Sequence, residues 1–144
     1  MTDVPPLRDR ATFPLWTRDT ARYRDTDRQG HLNNAVFATF LESGRVAFLV
    51  NPENPLAPPG CGFVIVRLEL DFRAEMHWGG EVEIGTVVLR VGRSSFLLGQ
   101  AIFQDGGCTA TARTTIVMMD ETTRKSAPMP EKLRARLMRW SARG

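Results

Sequence analysis

The chain has 144 residues, 42% of them hydrophobic, which suits one domain with one buried core and is too apolar for a disordered chain. No apolar run is long enough to cross a membrane as a helix, and the polar, proline-bearing first 14 residues lack the apolar stretch of a signal peptide. The net charge of +3 is unevenly spread: from Arg124 onward seven basic residues stand against one acid, Glu131, whereas the first 123 residues carry 12 basic and 15 acidic groups. A basic tail can meet phosphates or anionic surfaces. Aromatic residues do not interleave with these charges as they do in RNA-binding modules, so a solvated helix face is expected rather than nucleic-acid binding. Cys61 and Cys108 lie far apart without metal-ligand spacing. Two free thiols in a reducing compartment is the simplest reading, and the expected location is the cytoplasm.

Residues 1–14 read as a flexible or loosely docked arm, and 15–144 as a single domain. Leu15 to Arg24 holds Trp16, Ala21 and Tyr23 among charges and includes a first strand. A polar turn, Asp25 to Asn34, follows. Phe37, Phe40, Leu41, Gly44 and Phe48 then recur at helical steps. Asn33 or Asn34 stands at the N-cap position, where its side-chain oxygen can accept an orphan N–H. The helix ends near Val50, because Asn51-Pro52 and the prolines behind it cannot continue it.

Four strands come next. Phe63 to Phe72 alternates, with Val64, Val66, Leu68, Leu70 and Phe72 on one face and Arg67, Glu69 and Asp71 on the other. Glu81 to Val91 follows the Trp78-Gly79-Gly80 turn. Ser94 to Gln104 and Cys108 to Met119 flank an Asp105-Gly106-Gly107 hairpin turn. Pro128-Met129-Pro130 introduces a terminal helix with Leu133, Leu137 and Trp140 on one stripe. Strands joined by tight turns run antiparallel. One apolar helix against one antiparallel sheet makes an α+β domain.

The segment Tyr23 to Arg45, YRDTDRQGHLNNAVFATFLESGR, concentrates the reactive groups. Asp25, Asp27, His31, Asn33 and Asn34 fall within ten residues, directly before an apolar helix. Asp25 and Asp27 are two apart, so in an extended turn their charges can raise one pKa. The free N–H groups and dipole of the helix start favour negative charge, so a carbonyl held there is polarised and its oxyanion stabilised. The Asp27 carboxylate can attack such a carbonyl or activate water. Asp, Asn and Gly also build ordinary turns and caps. On the residues alone, chemistry and turn formation both stand.

This stretch resembles the signature of the 4-hydroxybenzoyl-CoA thioesterase-like branch of the hotdog superfamily. The matching features are Tyr23, Asp25-Thr26-Asp27, Gly30, and Glu42-Ser43-Gly44-Arg45. Gly92-Arg93-Ser94-Ser95-Phe96 is similar to a strand opening of that family. Asp120 with Arg124, Pro128-Met129-Pro130 and a basic helix are similar to its usual ending. The likeness runs from about Leu15 to Trp140. It implies a hotdog fold, a long helix wrapped by a curved antiparallel sheet, over 15–144. It implies hydrolysis of acyl-CoA, with Asp27 as nucleophile or general base and a helix-start N–H at Asn34 or a neighbour polarising the carbonyl. It also implies sheets paired edge to edge in a homodimer, often again into a homotetramer. The run His31-Leu32-Asn33-Asn34 looks more like the fatty-acyl thioesterases of this fold. It brings in His31 as an assisting residue and favours aliphatic over aromatic acyl groups. Arg90, Arg93 and Arg113 are candidate contacts for the CoA phosphates, and Ser95 for the acyl or pantetheine arm. No cofactor or metal is expected. The other readings are a non-catalytic acyl-CoA binding module, a thioesterase acting on acyl-carrier protein, and an enoyl-CoA hydratase of the same fold.

Overall fold

Five strands and one long helix account for half of residues 5–142, which are those described by the computed structural model. In chain order they are β1 (Leu15–Thr20), α1 (Asn34–Leu49), β2 (Cys61–Phe72), β3 (Glu81–Val91), β4 (Ser95–Gln104), β5 (Gly107–Asp120) and α2 (Glu131–Met138). Short 3-10 turns occupy Arg10–Thr12 and Tyr23–Asp25. Helix α1 begins where Asn33 Oδ1 accepts the Ala35 N–H at 3.0 Å, so Asn33 rather than Asn34 is the cap. It stops two residues before Asn51-Pro52. The β4–β5 turn places Asp105 and Gly106 at positive φ (52° and 82°), the twist a two-residue hairpin requires.

The sheet is antiparallel throughout, in the order β1-β3-β4-β5-β2. β2 therefore does not form a hairpin with β3, as the chain of turns suggested. The link Arg73–Gly80 crosses the ends of β5 and β4 and delivers the chain to β3. Its eight residues span up to about 26 Å when extended, ample for three strand spacings of roughly 4.8 Å. β2 also departs from simple alternation. A bulge at Val66 shifts the register between Ile65 and Arg67 and reverses the faces. Cys61 and Phe63 pack on the core before the bulge, and Leu70 after it.

α1 packs on β1, β3 and β4. Gly44 makes that approach possible: a Cβ there would lie 2.7 Å from Ile84 Cγ2 and 2.8 Å from Gln100 Nε2. Two apolar clusters share the helix face. One centres on Phe37, Phe40, Leu41 and Ile84, the other on Phe48, Phe96, Leu98 and Ile116 with Leu133 and Leu137 of α2. Between them runs a polar row of Thr86, Gln100 and Thr114, all at most 1% exposed. Gln100 Nε2 donates to the Leu41 carbonyl at 3.0 Å and to Thr86 Oγ1 at 3.1 Å.

The opposite face of the sheet is covered from the N-terminal side. Phe13, 1% exposed, packs with Val87, Ala101 and Phe103, and Leu7 joins them. Gly85 leaves the room, since a Cβ there would fall 2.6 Å from the Phe13 ring. Among the described residues no helix is long and apolar enough to cross a membrane.

Candidate active site

The turn before α1 is held by its own backbone. Asp27 N–H donates to the His31 carbonyl at 2.8 Å, and Gly30 N–H to the Asp27 carbonyl at 3.2 Å. Gly30 takes φ 82°, a left-handed conformation that glycine adopts without strain. Asp27 Oδ1 accepts the Gln29 N–H at 2.9 Å and the His31 N–H at 3.2 Å. That oxygen shapes the turn. Oδ2 has no hydrogen-bond partner among the described residues and is left for other work.

Asp25 behaves differently from the expectation of two carboxylates sharing one charge. It is buried and accepts both Nε and Nη2 of Arg22, each at 3.0 Å. These hydrogen bonds to the Arg22 guanidinium hold its carboxyl below the usual range, against the opposing effect of burial. Asp25 also lines a different cavity from Asp27, beside Val36 and Phe40. It is a structural anchor for the turn.

The second wall of the site comes from the β2–β3 link. Leu32 N–H donates to the Met76 carbonyl at 2.7 Å, and His31 and His77 form an isolated antiparallel bridge. Gln104 clamps the link at His77, accepting its N–H at 2.9 Å and donating to its carbonyl at 2.6 Å. His31 Nε2 then lies 3.1 Å from Glu75 Oε2, and its ring meets His77 edge to face at 5.3 Å.

Asp27, His31 and Asn34 line one cavity of about 420 Å³, with Phe37, Phe72, Arg73 and Glu75 among the other walls. At its helix end, Asn33 accepts the Ala35 N–H with its side chain and the Val36 N–H with its carbonyl. The Asn34 N–H has no partner among the described residues. Asp27, His31 and Asn34 at the helix start thus border one space. That set can polarise a carbonyl and deliver a nucleophile to it.

The remaining candidates are elsewhere. Arg90, Arg93 and Ser95 sit at the β3–β4 turn, at the far end of the sheet from Asp27. Within one chain they do not reach the cavity. Arg113 lines a neighbouring groove with Arg8, Glu69 and Arg73, and Arg73 borders both spaces. Glu75, His77, Arg73 and Gln104 were not singled out from sequence. For Glu75 and His77 the only signal is a Glu-Met-His run before Trp78-Gly79-Gly80, more than 40 residues from Asp27, and Arg73 and Gln104 carry none. Among the described residues no group of three or more His, Cys, Asp or Glu side chains is placed to hold a metal ion.

A helix laid on an antiparallel sheet, with a carboxylate turn at the helix start, is the architecture of hotdog thioester hydrolases. Residues 21–137 match the thioesterase-like superfamily, and the chain belongs to that family. It is similar to the structure of a predicted thioesterase from Bacillus stearothermophilus, at 26% identity and a TM-score of 0.79 over 90% of this chain and 98% of the other. It is similar also to a thioesterase from Thermus thermophilus complexed with coenzyme A and Zn, at 29% identity and a TM-score of 0.77 over 90% and 95% of the two chains. A 1,4-dihydroxy-2-naphthoyl-CoA thioesterase from Synechocystis shares the fold at 19% identity and a TM-score of 0.73, over 86% and 95%. No curated protein sequence matches the chain. The protein is therefore an enzyme of the thioester-hydrolase class.

Proposed function

We propose that the protein hydrolyses acyl-CoA to the free acid and CoA, with aliphatic acyl groups favoured over aromatic ones, and that Asp27 is its nucleophile or general base. The observation that carries this reading is the division of labour at Asp27. One carboxylate oxygen is fixed by two backbone N–H groups, the other has no partner among the described residues, and Asp27 lines the same cavity as Asn34 at the helix start. The thioester carbonyl oxygen is directed to the Asn34 N–H, where the developing negative charge meets the helix dipole. Asp27 Oδ2 attacks the carbonyl carbon or takes a proton from the attacking water. The CoA thiolate is a good leaving group, so no strong acid is needed at the sulfur. His31, oriented by Glu75, borders the same space and polarises the carbonyl or the water. The presence of coenzyme A in the Thermus relative supports CoA as the carrier.

The exposed edge of the sheet supports a second subunit. β2 is an edge strand of 12 residues with exposed Ile65, Val66, Leu68 and Phe72. A long apolar edge is a template for pairing. About a two-fold axis, β2 pairs with its own copy antiparallel. That sets the Cys61 end of one chain beside the Phe72 end of the other, and so brings the end carrying Arg93 and Ser95 toward the neighbour's Asp27 cavity.

Thiol release from acyl-CoAs graded from acetyl through long-chain to benzoyl tests the substrate reading. A maximum among the aliphatic chains is expected. Benzoyl-CoA as the best substrate overturns the acyl preference, and no release from any of them overturns CoA as the carrier.

A further inference from the structure

The Asp25–Asn34 turn leans on the β2–β3 link, and the link is held at both ends by backbone. At one end Arg73 and Ala74 donate their N–H groups to the Thr109 carbonyl, at 2.8 and 3.1 Å. At the other, Gly79 N–H donates to the Ala21 carbonyl at 3.0 Å, and Ala21 N–H donates to the Gly80 carbonyl at 3.3 Å. Glu75, Met76 and His77 lie between. Met76 buries its side chain in the cluster of Phe37 and Ile84, and its carbonyl accepts the Leu32 N–H, which ties the link to the turn. Among the described residues, the one side chain of the sheet that hydrogen-bonds this middle stretch is Gln104, the last residue of β4.

Gln104 is 8% exposed and spends both ends of its amide on one residue. Oε1 accepts the His77 N–H at 2.9 Å, and Nε2 donates to the His77 carbonyl at 2.6 Å. These groups belong to the two peptide planes that flank the His77 Cα, so the clamp restrains both φ and ψ there. A primary amide offers an acceptor and a donor side by side, as a neighbouring strand does. Gln104 thus adds one rung to the sheet. The clamped stretch meets His31 twice. Glu75 Oε2 lies 3.1 Å from His31 Nε2, and the His77 ring meets the His31 ring edge to face. His31 and Glu75 line the Asp27 cavity, and Gln104 does not.

We propose that Gln104 is a positioning residue for thioester hydrolysis: its amide holds the link so that Glu75 and His77 set the His31 imidazole in the Asp27 cavity. This rests on the reading of Asp27 and His31 given above.

The test is steady-state thiol release by the intact protein from the fastest acyl-CoA of the graded series. Gln104→Met and Gln104→Glu are each measured alone and combined with His31→Ala. Methionine keeps the length of the side chain and forms neither bond, and glutamate keeps the acceptor and loses the donor. Misplacing a group at a reacting centre by about 1 Å costs up to about a hundredfold in rate, and a loss of roughly tenfold in kcat is expected here. KM should stay within about twofold. With His31 already alanine neither variant should lower kcat further, because nothing remains to be positioned. A Gln104 that only supports the fold would lower kcat by the same factor in both backgrounds. That result, or wild-type kcat in folded Gln104→Met, overturns the proposal. Glu75→Gln decides if both Gln104 variants fail to fold, since Glu75 is exposed. It should lower kcat beside His31 and leave it unchanged beside His31→Ala, and wild-type kcat in Glu75→Gln overturns the proposal. Asp27→Asn in the same assay separates the two readings. An inactive Asp27→Asn beside a fully active Gln104→Met removes Gln104 alone, and an active Asp27→Asn removes the whole site and this role with it.

Discussion

In the proposed mechanism Asp27 does two jobs with two oxygens. Oδ1 is tied to the Gln29 and His31 amides, so the turn itself fixes the direction of the carboxylate. Such preorganisation means that little is lost in reorganisation at the reacting step. In the proposed mechanism His31 assists beside an exposed carboxylate, Glu75, so His31→Ala should cost less turnover than the loss of Asp27. An intact rate in steady-state thiol release would leave His31 to the turn alone. Asp25 carries a separate expectation. Its pKa is lowered in the folded chain by the Arg22 hydrogen bonds, and that of Asp120 by the Thr123 and Thr122 N–H groups. A lowered carboxylate stabilises the fold above its unfolded pKa of about 3.9 and loses that contribution as pH falls through the folded value. Tm should therefore drop with acid below about pH 4. The drop should be shallower in Asp25→Asn, whose Tm near neutral pH is lower; parallel melting curves from pH 7 downward would contradict this.

At the scale of elements, local chemistry was readable and long-range pairing was not. Asn33 and Pro52 bracket α1 because capping and proline exclusion act within a turn of the chain. The Asp105-Gly106 hairpin is similarly local. The bulge at Val66 is invisible in the alternating run, since it depends on which strand lies alongside, and it moves Phe63 rather than Val64 onto the core. The position of β2 beside β5 depends on pairing across about 50 residues. For the same reason Asp27, His31 and Asn34 are legible as one contiguous turn, while Glu75, His77 and Gln104 join them only through the sheet. At Gly44 α1 rests on Ile84 and Gln100. Gly44→Ala should destabilise the fold by about 1–3 kcal/mol through overpacking, despite the better helix propensity of alanine. A denaturant midpoint equal to or above wild type would show that the helix can shift away freely.

The described residues present an apolar β2 edge and the proposed catalytic cavity at places that a two-fold pairing of β2 would cover together. In solution the expected mass is at least twice the 16.1 kDa of a single chain. Val66→Asp places a charge at a position 59% exposed on that edge, where it does not disturb the monomer core and opposes pairing. Light scattering should find this variant at the single-chain mass, with reduced turnover. A monomeric wild type with full activity would make each cavity self-sufficient. The central claim concerns Asp27, and thiol release from the best acyl-CoA, wild type beside Asp27→Asn, tests it most directly. The substitution keeps the size and the backbone hydrogen bonds of the turn while removing the negative charge, so turnover should fall by at least about a hundredfold with Tm little changed. Near-normal turnover in Asp27→Asn would remove this carboxylate from the chemistry.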